Sequence, residues 1–293
     1  MKPDDNSFAT SSEAGEKLLS KFLSVDELLI RPTADGVSDA AAWEGDAPKK
    51  VARISLERFQ ELEQCIRNFP ADSEPYEELA KIYIQQERWK DARRVLDLGV
   101  AHNPNHEPML VLREEVMLQA SAQELELAKK QARQNRSEES TQHRQRCEID
   151  LANLRLSVCE ARLARHPEQL ELHIPCAIAL RQLGRMSEAV ERLKRAQKEP
   201  HLRARASLQL GMCLQQLDDV LGALAAYRKA ALYRSPPPST DLKRRALELA
   251  AEIAEQNHLV HAAIQYIKIL LETDPPHRDA WNARLEKLQA LPL

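Results

Sequence analysis

Of the side chains that could do chemistry in this 293-residue chain, the histidines and cysteines come first. His102 with His106, and His258 with His261, lie one helical turn apart, a spacing at which two imidazoles could share a metal ion. Neither pair has a third ligand close in sequence, so no metal site is expected. Cys65, Cys147, Cys159, Cys176 and Cys213 are odd in number, far apart and free of C-x-x-C spacing. They read as reduced thiols packed as small apolar side chains. A Ser or Cys nucleophile needs a base and usually a sharp glycine turn to present it, and no G-x-S-x-G occurs. There is also no Walker-type glycine loop, no G-x-G-x-x-G and no H-E-x-x-H, so phosphate cradling and zinc hydrolysis lack apparatus. No catalytic residue, cofactor or metal is therefore assigned, and the chain is not expected to be an enzyme. The many carboxylates lie beside Lys and Arg on helical faces, where solvated pairs are the default.

The elements that would carry any site are helices. Glycine occurs only seven times, aromatics make up 4%, and Ala, Leu, Glu, Gln, Arg and Lys fill the body of the chain. These residues lose little entropy in a helix, and strand-type runs of Val, Ile and Thr are lacking. Lys+Arg 42 against Asp+Glu 45 leaves a net charge of −3, which gives no field to attract nucleic acid or an anionic membrane. The polar start Met-Lys-Pro-Asp-Asp lacks a signal-peptide pattern, and no run approaches the ~20 apolar residues of a membrane span. The expected location is cytoplasmic.

Proline marks a period. Pro70, Pro104, Pro167, Pro200, Pro236 and Pro275 each follow an amphipathic run, with separations by subtraction of 34, 63, 33, 36 and 39 residues. Because proline cannot continue a helix, each one ends a helix pair and opens the turn into the next. Between prolines a pattern recurs. Tyr76, Leu79, Ala80 and Tyr83 precede the turn Glu87-Arg88-Trp89, and Ala92, Leu96 and Gly99 follow it. Cys176-Ala177 and Leu180 precede Gly184-Arg185-Met186, then Ala189, Leu193 and Ala196. Leu210-Gly211 and Leu214 lead to Ala223, Tyr227 and Ala230. Leu249-Ala250 and Ile253 precede Asn257-His258-Leu259, then Ala262, Tyr266 and Ile269.

This order of large and small residues, closed by proline after about 34 residues, resembles the tetratricopeptide repeat (TPR) family. Four units fit, at about 73–106, 170–203, 204–238 and 243–276. The resemblance implies an all-α fold, an alpha-alpha superhelix or TPR-like solenoid of antiparallel helix pairs. A lone helix over 54–69 is expected to cover the first unit, and a last helix carrying Trp281, Leu285 and Leu288 the other end, since terminal repeats otherwise expose an apolar face.

The 63-residue interval exceeds one unit by 29 residues, so one unit is expected to have stretched helices. Shared between two helices, the surplus makes an extended helical hairpin on the order of 20 Å long. Its seam is read from Leu118, Ala122, Leu125 and Ala132 on one arm and Ile149, Ala152, Leu156, Cys159 and Leu163 on the other. The turn is expected at Asn135-Arg136-Ser137, with Ser137 or Ser140 as cap. Residues 1–50 are rich in Ser, Asp, Thr and Pro and are expected to be largely disordered, with an amphipathic helix possible over Glu13 to Ile30. The organisation is thus a tail at 1–50, a capping helix and first unit at 51–106, the hairpin at 107–167, three units at 168–276, and a last helix at 277–293.

The resemblance also implies that first helices line a concave groove in which a protein or peptide lies. Its groove-facing residues would be Arg181, Gln182, Arg205, Gln209, Met212, Gln215, Arg244, Glu248 and Ala251. Arg205 and Arg244 fall at comparable places, near Arg203, Lys243 and Arg245, so an acidic peptide would suit that end. The chaperone-tail subclass uses an asparagine on its first unit, where this chain has Glu74, Glu77, Glu78 and Lys81, so that clamp is not expected. The expected role is a protein-interaction scaffold or adaptor. The alternative is a structural module that self-associates, as a homodimer, through the hairpin.

Overall fold

A computed structural model describes residues 56–290, and the segment read as a tail lies outside the described residues. Among the described residues every regular element is a helix and no strand occurs. The chain divides into two compact units, Met1–Leu154 and Arg155–Leu293. In the first lie α1 (Leu56–Asn68), α2 (Glu74–Gln85), α3 (Trp89–His102), α4 (Glu107–Asn135) and the start of α5 (Glu138–Arg165). In the second, after the end of α5, lie α6 (His173–Gln182), α7 (Met186–Ala196), α8 (Arg203–Gln216), α9 (Val220–Ala231), α10 (Thr240–Gln256), α11 (Val260–Thr273) and α12 (Arg278–Gln289).

In the first unit α1 packs on α2, α2 on α3 and α3 on α4. Their shared core holds Leu62, Tyr76, Leu79, Tyr83, Leu96, Met109 and Val116. Phe59 of α1 meets Tyr83 of α2 at 5.6 Å between ring centroids, which seats the lone first helix on the pair behind it. The two long helices α4 and α5 are joined at Arg136, which is left-handed (φ 43°), and the Ser137 hydroxyl accepts a hydrogen bond from the Ser140 N–H to cap α5. Leu118, Leu125 and Ala128 of α4 and Cys147, Leu151 and Ala152 of α5 are buried. Burial, with the nearby charge of Glu124, pushes the Cys147 thiol up, so α4 and the start of α5 lie close together there. Ile149 does not belong to the seam, being exposed, but Ala152, Leu156 and Cys159 of the expected line are buried, and so are Cys147, Leu151 and Val158. Successive buried residues such as Leu151 and Ala152 point about 100° apart, so this stretch of α5 is covered on more than one face.

In the second unit each helix from α6 to α12 packs on the next, and the first helices of pairs also touch, α6 with α8 and α8 with α10. First helices are thereby drawn into one layer. The register of each pair is set by one left-handed residue between its helices: Glu87, Gly184, Asp218 and His258. Five residues on from each stands a fully buried alanine, at Ala92, Ala189, Ala223 and Ala263. Nine on stand Leu96, Leu193, Tyr227 and Ile267, and seven before stand Ala80, Ala177, Gly211 and Ala251. The fourth copy is thus one residue later than its sequence suggests. The core takes Ala251, Ala263, Ile267 and Leu270, while Ala262, Tyr266 and Ile269 are only half-buried. The slip has a local cause: the left-handed residue leads the turn Gly184-Arg185-Met186 but comes second in Asn257-His258-Leu259.

Small residues in this layer answer a spatial demand. A Cβ on Gly211 would come within 2.5 Å of the Tyr227 ring, so only glycine lets α8 and α9 approach this closely. At the far end α12 is tied back by Asp274, a buried carboxylate that accepts hydrogen bonds from Trp281 Nε1 at 3.0 Å and contacts His277 Nδ1 at 3.0 Å. Burial opposes ionisation of Asp274, but these bonds outweigh it and hold the carboxyl below the usual range.

Candidate protein-binding face

The first-helix layer of the second unit is where the groove residues fall, and the structure sorts them. Ala251 is in the core, fully buried beside Ala250 and Ile253, and cannot be reached from outside. With the fourth copy moved by one residue, the partner of Arg205 in the next repeat is Arg245, thirteen residues before its left-handed turn as Arg205 is before its own, and Arg244 sits one place earlier. Arg205, Gln182, Met212, Arg244 and Glu248 are half-buried. Arg181 is only 9% exposed, on a helix whose residues from His173 to Arg181 are all buried.

Charges on α10 are largely matched within the helix. Arg244 Nη1 lies 3.1 Å from Glu248 Oε1, and Arg245 Nη1 lies 3.5 Å from the other oxygen of the same carboxylate. Asp241 adds a looser contact to Arg244 at 3.8 Å. The local positive charge expected from Arg244 is therefore diluted by its own neighbours.

Deeper in the layer, Tyr227 is fully buried and its hydroxyl donates to Gln215 Oε1 at 2.7 Å, so Gln215 is spent on an internal bond. Burial pushes the Tyr227 phenol well above its ordinary range, and the charges of Arg181 and Arg245 pull the other way, which puts both guanidinium groups within electrostatic reach of the ring. Burial likewise raises the Cys213 thiol to about 11, opposed by Arg181. Two polar atoms here are shut off from solvent without a hydrogen-bond partner: Arg181 Nε, a donor, and Gln209 Oε1, an acceptor. Buried polar atoms are ordinarily paired, and each orphan costs about 1 to 3 kcal/mol.

Elsewhere, Cys65 is exposed and the other four cysteines are buried, so the reading of all five as core residues fails at Cys65. It stands near the end of α1, the outermost helix of the first unit, where only one face has a neighbour. Cys159 and Cys176 are hydrogen-bonded to each other, which together with burial pushes the Cys159 thiol well up and keeps it protonated. His258 occupies a left-handed turn position and is exposed with His261; among the described residues no cluster of three metal-ligating side chains occurs. No helix among them is long and apolar enough to cross a membrane.

Sequence reasoning named Arg245 as a neighbour of Arg244 but matched Arg244 to Arg205 in its place; the signal was present as the spacing from Arg205 to its turn. It also missed the bond between Tyr227 and Gln215, which depends on the approach of two helices and leaves no local mark.

The helix pairs, their buried small residues and their turns recur in one register, and residues 59–113 match the family model described as Tetratricopeptide repeat. Residues 59–113 are thus of the TPR family. No curated protein matches the chain. Among solved structures, the chain is similar to MamA, with 16% identity over 71% of this chain and 94% of that one and a TM-score of 0.47. It is similar to YrrB, a TPR protein with an unusual peptide-binding site, with 16% identity over 76% and 97% and a TM-score of 0.45. A thermophilic TPR protein of Thermus thermophilus gives 17% identity over 75% and 100% and a TM-score of 0.40.

Proposed function

We propose that this TPR chain is a protein-interaction scaffold of the cytoplasm whose first-helix layer in the second unit takes up an extended segment of a partner protein with acidic side chains. One observation carries the reading: on adjoining first helices Arg181 Nε and Gln209 Oε1 are buried without a hydrogen-bond partner among the described residues, so the side chains over them have to move aside before a partner reaches them. A peptide backbone that enters there supplies an acceptor and a donor together, and satisfying both groups recovers the desolvation already spent on them. Arg205 and Arg245, in register on neighbouring repeats, would favour acidic side chains along the same segment. Selection of peptides from a displayed library on the full chain, followed by calorimetric titration, tests the proposal. Peptides selected should be acidic and should lose about tenfold or more in affinity to Arg181→Ala, Gln209→Ala or Arg205→Glu. Full affinity for all three variants defeats it.

A second reading is supported by the long helices. Leu127 of α4 and Ile149 of α5 are 53% and 51% exposed, an apolar pair that a second copy would cover. In that case sedimentation velocity finds a dimer that Leu127→Glu with Ile149→Glu returns to monomer; a monomeric wild-type chain at all concentrations removes it.

A further inference from the structure

The outward side of α9 bears a surface that shares only Leu224 with the core on that helix. Leu221, Leu224, Ala225, Arg228 and Leu232 recur at three- and four-residue spacing, so they form one stripe down the helix. Leu221 is 75% exposed, which is far more than a leucine needs for packing within the repeat, and Leu232 is also exposed. Beside the stripe lies an open hollow of about 580 Å³, with Leu224 and the half-buried Tyr266 of α11 at its base. Tyr233 forms a wall. It is held in place by Arg203, whose guanidinium lies 5.1 Å from the ring centre and hydrogen-bonds the phenol oxygen. The wall is therefore set before anything binds, and little ordering entropy is lost on docking.

Arg228 and Lys229 edge the hollow, both exposed. Neither makes an ion pair with any described residue, in contrast to Arg244 and Arg245 on α10. A stripe of exposed leucines flanked by two uncompensated cations is complementary to an apolar stripe flanked by carboxylates. The length fits as well. Leu221 to Leu232, the residue that caps α9, is eleven steps of about 1.5 Å, or about 16 Å, the contact length of three turns on a partner helix.

We infer that this face of α9 is a second docking site, and that its occupant is an amphipathic helix of another protein with acidic side chains beside its apolar stripe. The residues that line the site lie off α6, α8 and α10, which separates it from the first-helix groove; Arg203 of α8 supports its wall from behind.

The test uses the full chain and two fluorescent peptides of about 18 residues, each with leucine at i, i+3, i+4 and i+7 spacing and either glutamate or lysine elsewhere. Anisotropy titration should find the glutamate peptide bound at least about tenfold more tightly than the lysine peptide. Arg228→Glu with Lys229→Glu should reverse that preference, Leu221→Asp should weaken binding of the glutamate peptide by about tenfold, and Arg205→Glu on the groove side should change nothing. Leu221, Arg228 and Lys229 are exposed and Arg205 is half-buried, and unaltered circular dichroism of each variant separates lost docking from lost fold. Equal affinity for the two peptides overturns the inference, as does no binding up to about 1 mM. Sensitivity to Arg205→Glu alone also overturns it, because binding is then in the groove. Flotation with phosphatidylserine vesicles that depends on Arg228 and Lys229, with no preference for the glutamate peptide, assigns the surface to lipid and not to protein.

Discussion

Within the second unit, the first-helix layer and the outward side of α9 treat polar groups in opposite ways. In the layer and against it, Tyr227 and Arg181 are buried and Gln215 and Gln209 half-buried; the Tyr227 hydroxyl bonds Gln215 Oε1, and Arg181 Nε and Gln209 Oε1 are shut away without a partner among the described residues. On the outside of α9, Arg228 and Lys229 stand in solvent beside exposed leucines. On the proposed function the first arrangement selects a partner by hydrogen-bond geometry, because an unmatched buried atom is costly. On the further inference the second selects by apolar area and charge, which are tolerant of geometry but weakened by salt. One repeat array thus presents two surfaces of different chemistry, and the difference can be broken from either side.

The largest effect is expected from Gly211→Ala. Its Cβ would collide with the Tyr227 ring at 2.5 Å, and overpacking of this kind costs about 1 to 3 kcal/mol. Thermal unfolding followed by circular dichroism should shift down by several degrees, and an unchanged midpoint would mean the layer is looser than described. Asp274→Asn comes next, at about 1.5 kcal/mol, since it weakens hydrogen bonds from Trp281 and His277 to a buried charge. The sign with pH follows from the depressed carboxyl. Its contribution is present above the unfolded value of about 3.9 and is lost as pH falls through the lower folded value, so urea midpoints of wild type and variant should converge as pH is taken below about 4. Midpoints that stay apart down to pH ~2 would refute the assignment.

Tyr227→Phe removes the bond to Gln215 and leaves a buried acceptor, for about 1 kcal/mol, with no change in helix content. The smallest effect sharpens the comparison most. Arg228→Glu with Lys229→Glu should leave stability within about 0.5 kcal/mol, because exposed groups without ion pairs contribute little to the fold. A larger loss would show that the outer cations serve the fold after all.

Much of the fold was legible because the rules that start and stop helices are local. Proline after each pair, the polar turn at Asn135-Arg136-Ser137 and the alanines and glycines at fixed spacing are visible in the chain itself. The candidate site was less legible. Gln182, Met212, Arg205, Arg244 and Glu248 were placed on first helices and lie there half-buried, but Ala251 went to the core and Arg181 was enclosed. Gln215 is occupied by Tyr227 from the following helix, a contact no spacing announces.

The sequence by itself determined that this is a helical repeat protein, where its helices begin and end, and which small residues allow them to nest. Tertiary structure alone decided the register of the last repeat, that α5 is covered on more than one face, and which charges remain without partners among the described residues. The reason is geometric: one residue of slip rotates a helix by about 100°, so the same apolar spacing serves several faces, and only the neighbour that arrives in space selects among them.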